Sequence, residues 1–402
     1  MSLATVQKEL AIHGGSPVRP TLLPYGRQSV DEADIQAVVA ALRSDWLTTG
    51  PEVAEFEEAF AAKVGARFAV TFSSGTAALH GAAYAAGLQA GDEAITTPLT
   101  FAATANCVLY QQAMPVFADV LPETLTIDPN EIQSKITSRA KAILPVDYAG
   151  HPADLDAILQ IADHYGLVVI EDACHALGAQ YRKSSVGCIA HMTVFSFHPV
   201  KHITTGEGGM VTTNNPEYAT TLRRFRNHGI SSDARTRQSA GQWHYEMVEL
   251  GFNYRLPDIA CALGLEQLFR LESNLARRLE IAARYADAFG SIDAVQVPHV
   301  YSHVNPAWHL YPIRLNLHRL SSTRNEVFQA LRAENIGVNV HYIPVHLHPY
   351  YRDRFGYKGG EYPVAEAAYE RLLSLPMFHS MTDRDVDDVI AAVIKVSEYF
   401  SR

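Results

Sequence analysis

A single lysine, Lys201, follows a β-branched and aromatic run at residues 193–197 and precedes Thr204, Thr205, Gly206, Gly208 and Gly209. The runs at 193–197 and 209–213 read as buried strands, which puts the lysine on a tight, glycine-rich connection close to the core. Burial lowers the pKa of an amine there and leaves it nucleophilic, as a Schiff-base lysine requires. The same residues also fit a lysine that snorkels to solvent beside turn glycines. Asp172 closes the run 167–172, where an uncompensated carboxylate is costly to bury, so a cationic partner is expected for it. Ser73, Ser74, Gly75 and Thr76 lie between a strand at 68–72 and an alanine-rich helix at 77–86. Backbone N–H groups at such a helix start suit a phosphate, and N-capping by Ser74 or Thr76 accounts for them equally well. Phe101, on another strand-to-helix loop, offers a flat face to a ring or to the core.

The elements that must position these groups follow from periodicity. Further strands are expected at 94–97, 115–119 and 142–146, with helices at 31–44 and from Leu155 through Ala162. Continuous apolar strands alternating with helices imply a parallel sheet covered on both faces, with ligands beyond the carboxyl ends of its strands. A long helical pattern at 257–289 leads to a smaller α+β lobe. Strands are expected there at 308–315 and 338–342 around a helix containing Val327, Phe328 and Leu331, then helices at 365–373 and 383–399. The division drawn is a large α/β domain over 1–270 and a small domain over 271–402. The loop 45–51 reads as core cover, with Trp46 and Leu47 packing inward.

Composition narrows the function classes. The chain has 402 residues, 48% of them hydrophobic and 19% charged, as in an ordinary soluble enzyme. A net charge of -10 without a basic run disfavours nucleic acid as a partner. No apolar run reaches membrane-spanning length, and the N-terminus lacks the basic start and apolar core of a signal peptide. Cys107, Cys174, Cys188 and Cys261 are scattered without a CxxC pair, which fits reduced thiols in the cytoplasm.

An amine on a glycine-flanked turn, a carboxylate at a buried strand end, a phosphate-type helix start and an aromatic on a neighbouring loop together match the needs of pyridoxal phosphate. The motifs SSGTAAL, TTPLTFAATAN, EDACHALG, FSFHPVKHITTGEGG and LGFNYRLPDIACALGLEQL resemble the sugar aminotransferases of the DegT/DnrJ/EryC1/StrS family, of aspartate-aminotransferase fold type I. The fold this resemblance implies is a large, mainly parallel seven-stranded sheet domain with a smaller α+β C-terminal domain. The outer segments, PYGRQSVDEADIQAVVAALRSDWLTTGP, VHYIPVHLHPYY and LSLPMF, resemble the branch that makes UDP-4-amino-4,6-dideoxy-N-acetyl-β-L-altrosamine, a step towards pseudaminic acid.

By this resemblance Lys201 would form the Schiff base with the cofactor and serve as acid and base, and Asp172 would pair with the pyridine nitrogen. His175 would lie near the phenolic oxygen, Phe101 would stack on the ring, and Gly75, Thr76 and Ser196 would hold the phosphate. Asn253 would reach the phosphate of a neighbouring subunit, making the active unit a homodimer with shared sites. Tyr25, the loop Asp45, Trp46, Leu47 and Thr48, and Asn339, His341 and Tyr342 would contact the sugar nucleotide, so the loop read as core cover gains a role. Glutamate would be the amino donor, although no arginine pair for its carboxylates stands out. A dehydratase relative on the same fold has histidine in the lysine's place, and His202 does not displace Lys201 here.

Three rivals compete with this reading. A nicotinamide enzyme is weakly supported, since no strand leads into GxGxxG. A metal site at His346 and His348, with His341, is the second, and isolated histidines near prolines are more often packing residues. The third, a binding module without catalysis, would be favoured by loss of Lys201 or Asp172, and both are present.

Overall fold

The computed structural model describes residues 9–232, 237 and 239–402. The first eight residues, part of the segment in which no leader was read, lie outside that range. The first half of the chain forms β1 (Phe68–Phe72), β2 (Glu93–Thr96), β3 (Met114–Phe117), β4 (Ala140–Leu144), β5 (Val168–Asp172), the hairpin β6 (Gln180–Tyr181) and β7 (Ser184–Ser185), then β8 (Met192–Ser196) and β9 (Gly209–Thr213). Seven of these make one sheet in the order β1-β9-β8-β5-β4-β2-β3. Only β9 is antiparallel to its neighbours, so the other six strands end on one edge.

Strand residues alternate between two cores because successive side chains point to opposite faces. Ile170 and Val194 pack with Ala78, Ala82 and Val108, from the helices Gly75–Ala85 and Ala102–Tyr110. Phe195 and Met210 face Phe56, Phe60 and Cys261, from the helices Pro51–Val64 and Asp258–Phe269. Val169 and Ile143 meet Ile158 of the helix Leu155–Tyr165. Apolar residues on both faces produce the continuous hydrophobic strands seen in the sequence.

The second lobe holds β10 (Val295–Gln296), β11 (Val304–Asn305), β12 (Tyr311–Leu315) and β13 (Leu372–Leu375). Its three-stranded sheet runs β10-β12-β13, and β11 instead joins β6. Its core gathers Ile281, Tyr285, Phe289, Tyr311, Ile313, Leu373, Val389 and Val393. Leu10 and Leu23 of the N-terminal segment lie in this same core. Glu334 fastens that segment by accepting from the Ala11 and Val18 amides, each at 2.9 Å, and from Lys395.

Three expectations need correction. The pattern 257–289 is two helices, Asp258–Phe269 and Leu271–Phe289, broken at Arg270, whose guanidinium turns back to Asp31 and Asp34. The helix expected at 365–373 stops at Tyr369, and Leu372–Leu375 is a strand paired with β12. Conversely, 338–342 is not a strand: only Asn339 bridges to Ser374, and the chain then leaves the sheet edge. A short apolar run does not reveal whether a strand will accept it, and here β12 decides.

Candidate active site

The carboxyl end of β5 carries Asp172 into a cleft of about 530 Å³ between the lobes. Its carboxylate is 6% exposed and is oriented by Thr104, whose hydroxyl donates at 2.6 Å, and by the Cys174 amide at 3.2 Å. The expected cationic partner is not supplied by the chain: among the described residues, no Lys, Arg or His nitrogen forms an ion pair with Asp172.

Lys201 lines the same cleft from the turn after β8. Hydrogen bonds brace that turn: Lys201 N–H to the His198 carbonyl at 2.9 Å, Thr204 Oγ1 to the Phe197 carbonyl at 3.0 Å, and Gly206 N–H to Thr204 Oγ1 at 3.0 Å. Gly206 has φ +81°, a left-handed conformation in which a side chain would be strained. Burial lowers the Lys201 pKa; Cys174 and Asp172 oppose that shift and the Arg278 charge adds to it. Lys201 Nζ lies 3.5 Å from His309 Nε2.

Beside Lys201 the helix Gly75–Ala85 begins, with Ser74 as N-cap accepting from Ala77 N–H at 3.1 Å. Capping therefore occurs, but it leaves the Gly75 and Thr76 amides at the cleft wall without an acceptor among the described residues. Gly75 is obligatory in space: a Cβ there would lie 2.9 Å from the Ser196 Cβ. Gly209 is equally confined, since a Cβ there would lie 2.5 Å from the Ser74 carbonyl oxygen. The two strands and the helix start meet too closely for side chains.

The opposite wall comes largely from the second lobe. Tyr342 places its hydroxyl 3.0 Å from His175 Nε2 and its ring 6.0 Å from Phe101, which is 60% exposed at the cleft. The His175 and His309 rings lie 4.4 Å apart, tilted by 37°, and burial beside Lys201 holds both imidazoles well below their usual pKa. Tyr25 lies 5.2 Å from the His341 ring, and Asn339 also lines the cleft. His341 Nδ1 bonds Ser374 at 2.9 Å.

Gly75, Thr76, Phe101, Asp172, His175, Ser196, Lys201, Tyr25, Asn339, His341 and Tyr342 thus share one cavity. Asp45, Trp46, Leu47, Thr48 and Asn253 do not line it. The loop is anchored elsewhere, by the Leu47 carbonyl to the Asp258 amide at 3.1 Å and by Asp258 Oδ2 to the Gly50 amide at 2.8 Å. Asn253 is exposed and bridges to Asn227. The three histidines weighed as a metal site are separate: His341 faces the cleft, and His346 bonds Glu366 at 2.9 Å, with Glu361 nearby.

The DegT/DnrJ/EryC1/StrS aminotransferase family model matches residues 28–394. The chain belongs to the DegT/DnrJ/EryC1/StrS family. A relative in Bacillus subtilis, the spore coat polysaccharide biosynthesis protein SpsC, is 46% identical over 377 residues, covering 93% of this chain and 97% of that one. Helicobacter pylori PseC, an aminotransferase involved in the biosynthesis of pseudoaminic acid, superimposes with a TM-score of 0.88 at 32% identity, covering 94% of this chain and all of PseC. Spr1654 of Streptococcus pneumoniae in its PMP form gives 0.88 at 32% identity, covering 94% and 99% of the two chains.

DegT/DnrJ/EryC1/StrS aminotransferases use pyridoxal phosphate, and Spr1654 has been solved in its PLP form as well. The cleft fits that group on three observations. Asp172 is a buried carboxylate without a cation, the Gly75 and Thr76 amides are unmatched donors, and Lys201 is an amine without a carboxylate bonded to it. Sequence reasoning missed Thr104 and His309. Thr104 falls inside the TTPLTFAATAN motif, eight residues after β2 ends, and only its bond to Asp172 distinguishes it from a helix-start threonine. His309 gave no signal beyond its place in WHLYP.

Proposed function

We propose that this protein, with pyridoxal phosphate, transfers an amino group from glutamate to the 4-keto carbon of a UDP-linked 4-keto-6-deoxy sugar, UDP-4-keto-6-deoxy-N-acetyl-β-L-altrosamine. The observation that carries the chemistry is the placing of Lys201 and the cation-free Asp172 in one cleft beside two open amides. Likeness to PseC supports the sugar. SpsC, at higher identity, favours a second reading in which another UDP- or dTDP-ketosugar, aminated at the 3- or 4-position, is the acceptor.

When bound, pyridoxal phosphate supplies the electron sink for moving the donor's α-proton. Asp172 would keep the ring nitrogen protonated, with Thr104 and the Cys174 amide fixing the carboxylate. Lys201 Nζ would attach the cofactor and serve as base and acid for the donor's α-proton, and burial lowers its pKa in the direction that task needs. Gly75, Thr76 and Ser196 would hold the phosphate, Phe101 would cover the ring, and His175, hydrogen-bonded to Tyr342, would serve the phenolic oxygen. Tyr25, Asn339, His341 and Tyr342 receive the sugar nucleotide.

The active unit is a homodimer in this reading. The loop Asp45, Trp46, Leu47 and Thr48 and Asn253 act across the interface, Asn253 on the partner's phosphate. Exposed Trp243, Met247 and Leu250, in the segment that leads to Asn253, are apolar surface such an interface would cover. The cytoplasm is the proposed compartment, in keeping with four free cysteines.

The test is the visible spectrum of the purified, cofactor-loaded protein, with mass analysis of the nucleotide. Glutamate should bleach the band and the UDP-ketosugar restore it with formation of a UDP-aminosugar. Restoration by a dTDP-ketosugar alone would replace the acceptor, and indifference to glutamate would sink the transaminase reading.

A further inference from the structure

Two carboxyl groups that the reaction does not use lie directly behind Asp172. Glu171 precedes it on β5, with its side chain on the opposite face of the sheet, and Asp147 begins the turn that follows β4. Both are fully buried. Each has one oxygen satisfied: Glu171 Oε2 accepts from Thr193 Oγ1 at 2.7 Å, and Asp147 Oδ1 from the Ala153 amide at 3.0 Å. The two remaining oxygens, Glu171 Oε1 and Asp147 Oδ2, are buried without a donor. The side chains are within hydrogen-bonding reach of each other. Among the described residues, the charged and titratable groups that act on them are Asp172 and the thiols of Cys174 and Cys188, none of them a cation.

A buried donorless oxygen on each of two adjacent carboxyls has one economical solution, a proton held between them. We infer that Asp147 and Glu171 share a proton at neutral pH and, as a locked pair, are positioning residues for the active site. The direction of titration agrees: burial and mutual repulsion with Asp172 raise both carboxyls, Glu171 to about 7.

The lock acts through the turn it fixes. Asp147 O accepts from the Gly150 amide at 3.1 Å, and the turn it starts holds three parts of the cleft. Tyr148 donates to the His341 carbonyl at 2.5 Å, the Gly150 carbonyl accepts from Ala307 N–H at 2.9 Å, and the Asp147 amide bonds the Asp172 carbonyl at 3.1 Å. There is no slack at Gly150, where a Cβ would lie 2.7 Å from the Trp308 nitrogen. Loss of the shared proton would place two anions beside Asp172 and loosen the turn that sets His309 and His341.

Infrared spectroscopy of the cofactor-loaded protein tests this without relying on turnover. At neutral pH exposed Asp and Glu are ionised, so the carbonyl stretch of an undissociated, deuterium-sensitive carboxyl is expected in the wild type. It should vanish in Asp147→Asn and in Glu171→Gln, whose amides donate in the proton's place. Absence of the band from the wild type, or its persistence in both variants, would overturn the shared proton. For positioning, Glu171→Gln should keep the wild-type KM for the ketosugar, while Glu171→Ala raises it on the order of tenfold by leaving a buried partner unmatched. A Gln variant as impaired as the Ala variant would remove the positioning role, and if the Ala variant does not fold, the KM of Asp147→Asn takes its place.

Discussion

At the residue scale the site is a problem of keeping charges where water would otherwise neutralise them. Asp172 keeps its geometry through a 2.6 Å hydrogen bond from Thr104, a neutral donor, which leaves the carboxylate's charge for the cofactor. Replacing Thr104 by Val should lower kcat about tenfold, the range expected for one hydrogen bond to a charged group, with the melting temperature little changed. Steady-state kinetics with a parallel melt decides this, and an unaffected kcat would show that the Cys174 amide alone suffices. In the proposed mechanism Lys201→Ala removes both the attachment point and the base. It should abolish covalently bound colour and cost at least about 10²-fold to 10⁴-fold in turnover, as losses of general acid–base groups do. Near-normal turnover in that variant would falsify the base assignment.

At the element scale the proposed phosphate cup depends on a helix that starts hard against a strand. Gly75→Ala would place a methyl group 2.9 Å from the Ser196 Cβ, an atom fixed to the backbone and not the free end of a flexible side chain. The helix start must then retreat by tenths of an ångström. Affinity for pyridoxal phosphate should fall on the order of tenfold while circular dichroism stays native, since a small misplacement costs binding before it costs fold. Titrating the apo protein with cofactor measures it, and an unchanged Kd would move the phosphate elsewhere. The adjoining turn explains why Lys201 was legible: a strand, a glycine-rich turn and a returning strand are local, and β8 and β9 pair antiparallel around them.

At the scale of the whole molecule, eight buried or half-buried histidines shape stability. His80, His151, His341 and His379 are pushed down to about 4 by burial, and His175, His202, His309 and His346 are also lowered. A lowered histidine contributes stability that is present above its unfolded pKa near 6.5 and lost as pH falls through the folded value. Asp147 and Glu171 have the opposite sign, since burial raises both; Glu171 loses stability as pH rises from 4.5 to about 7. The histidines outnumber them, so the denaturant midpoint should fall steeply between about 6.5 and 4. A tenfold difference in one group's proton affinity between folded and unfolded chain is worth about 1.4 kcal/mol, against a total stability of roughly 5–15 kcal/mol. A flat midpoint across that window would mean that the imidazoles are solvated.

Assembly belongs to this scale too. If sites are shared, mixing Lys201→Ala subunits with Asn253→Ala subunits should restore about a quarter of the sites, because a two-fold hybrid places both lesions in one site and none in the other. Activity no greater than the sum of the parents would place Asn253 outside the partner's site.

What the sequence determined by itself is the large sheet and the groups at its carboxyl edge. Lys201, Asp172, Ser196 and Gly75 sit at ends of strands or starts of helices, and burial on both faces writes those strands as uninterrupted apolar runs, so position along the chain already implies position in space. Tertiary structure decided the rest. Thr104 became a partner of Asp172 only when β2 and β5 came to flank β4. Tyr25 reaches the cleft because Leu23 is buried in the core of the other lobe, some 250 residues on. His309, His341 and Tyr342 approach Lys201 across the lobes, and the loop at Asp45 to Thr48 is held away by Asp258. Residues far apart in sequence share no periodicity, and only packing of one core against another brings them together.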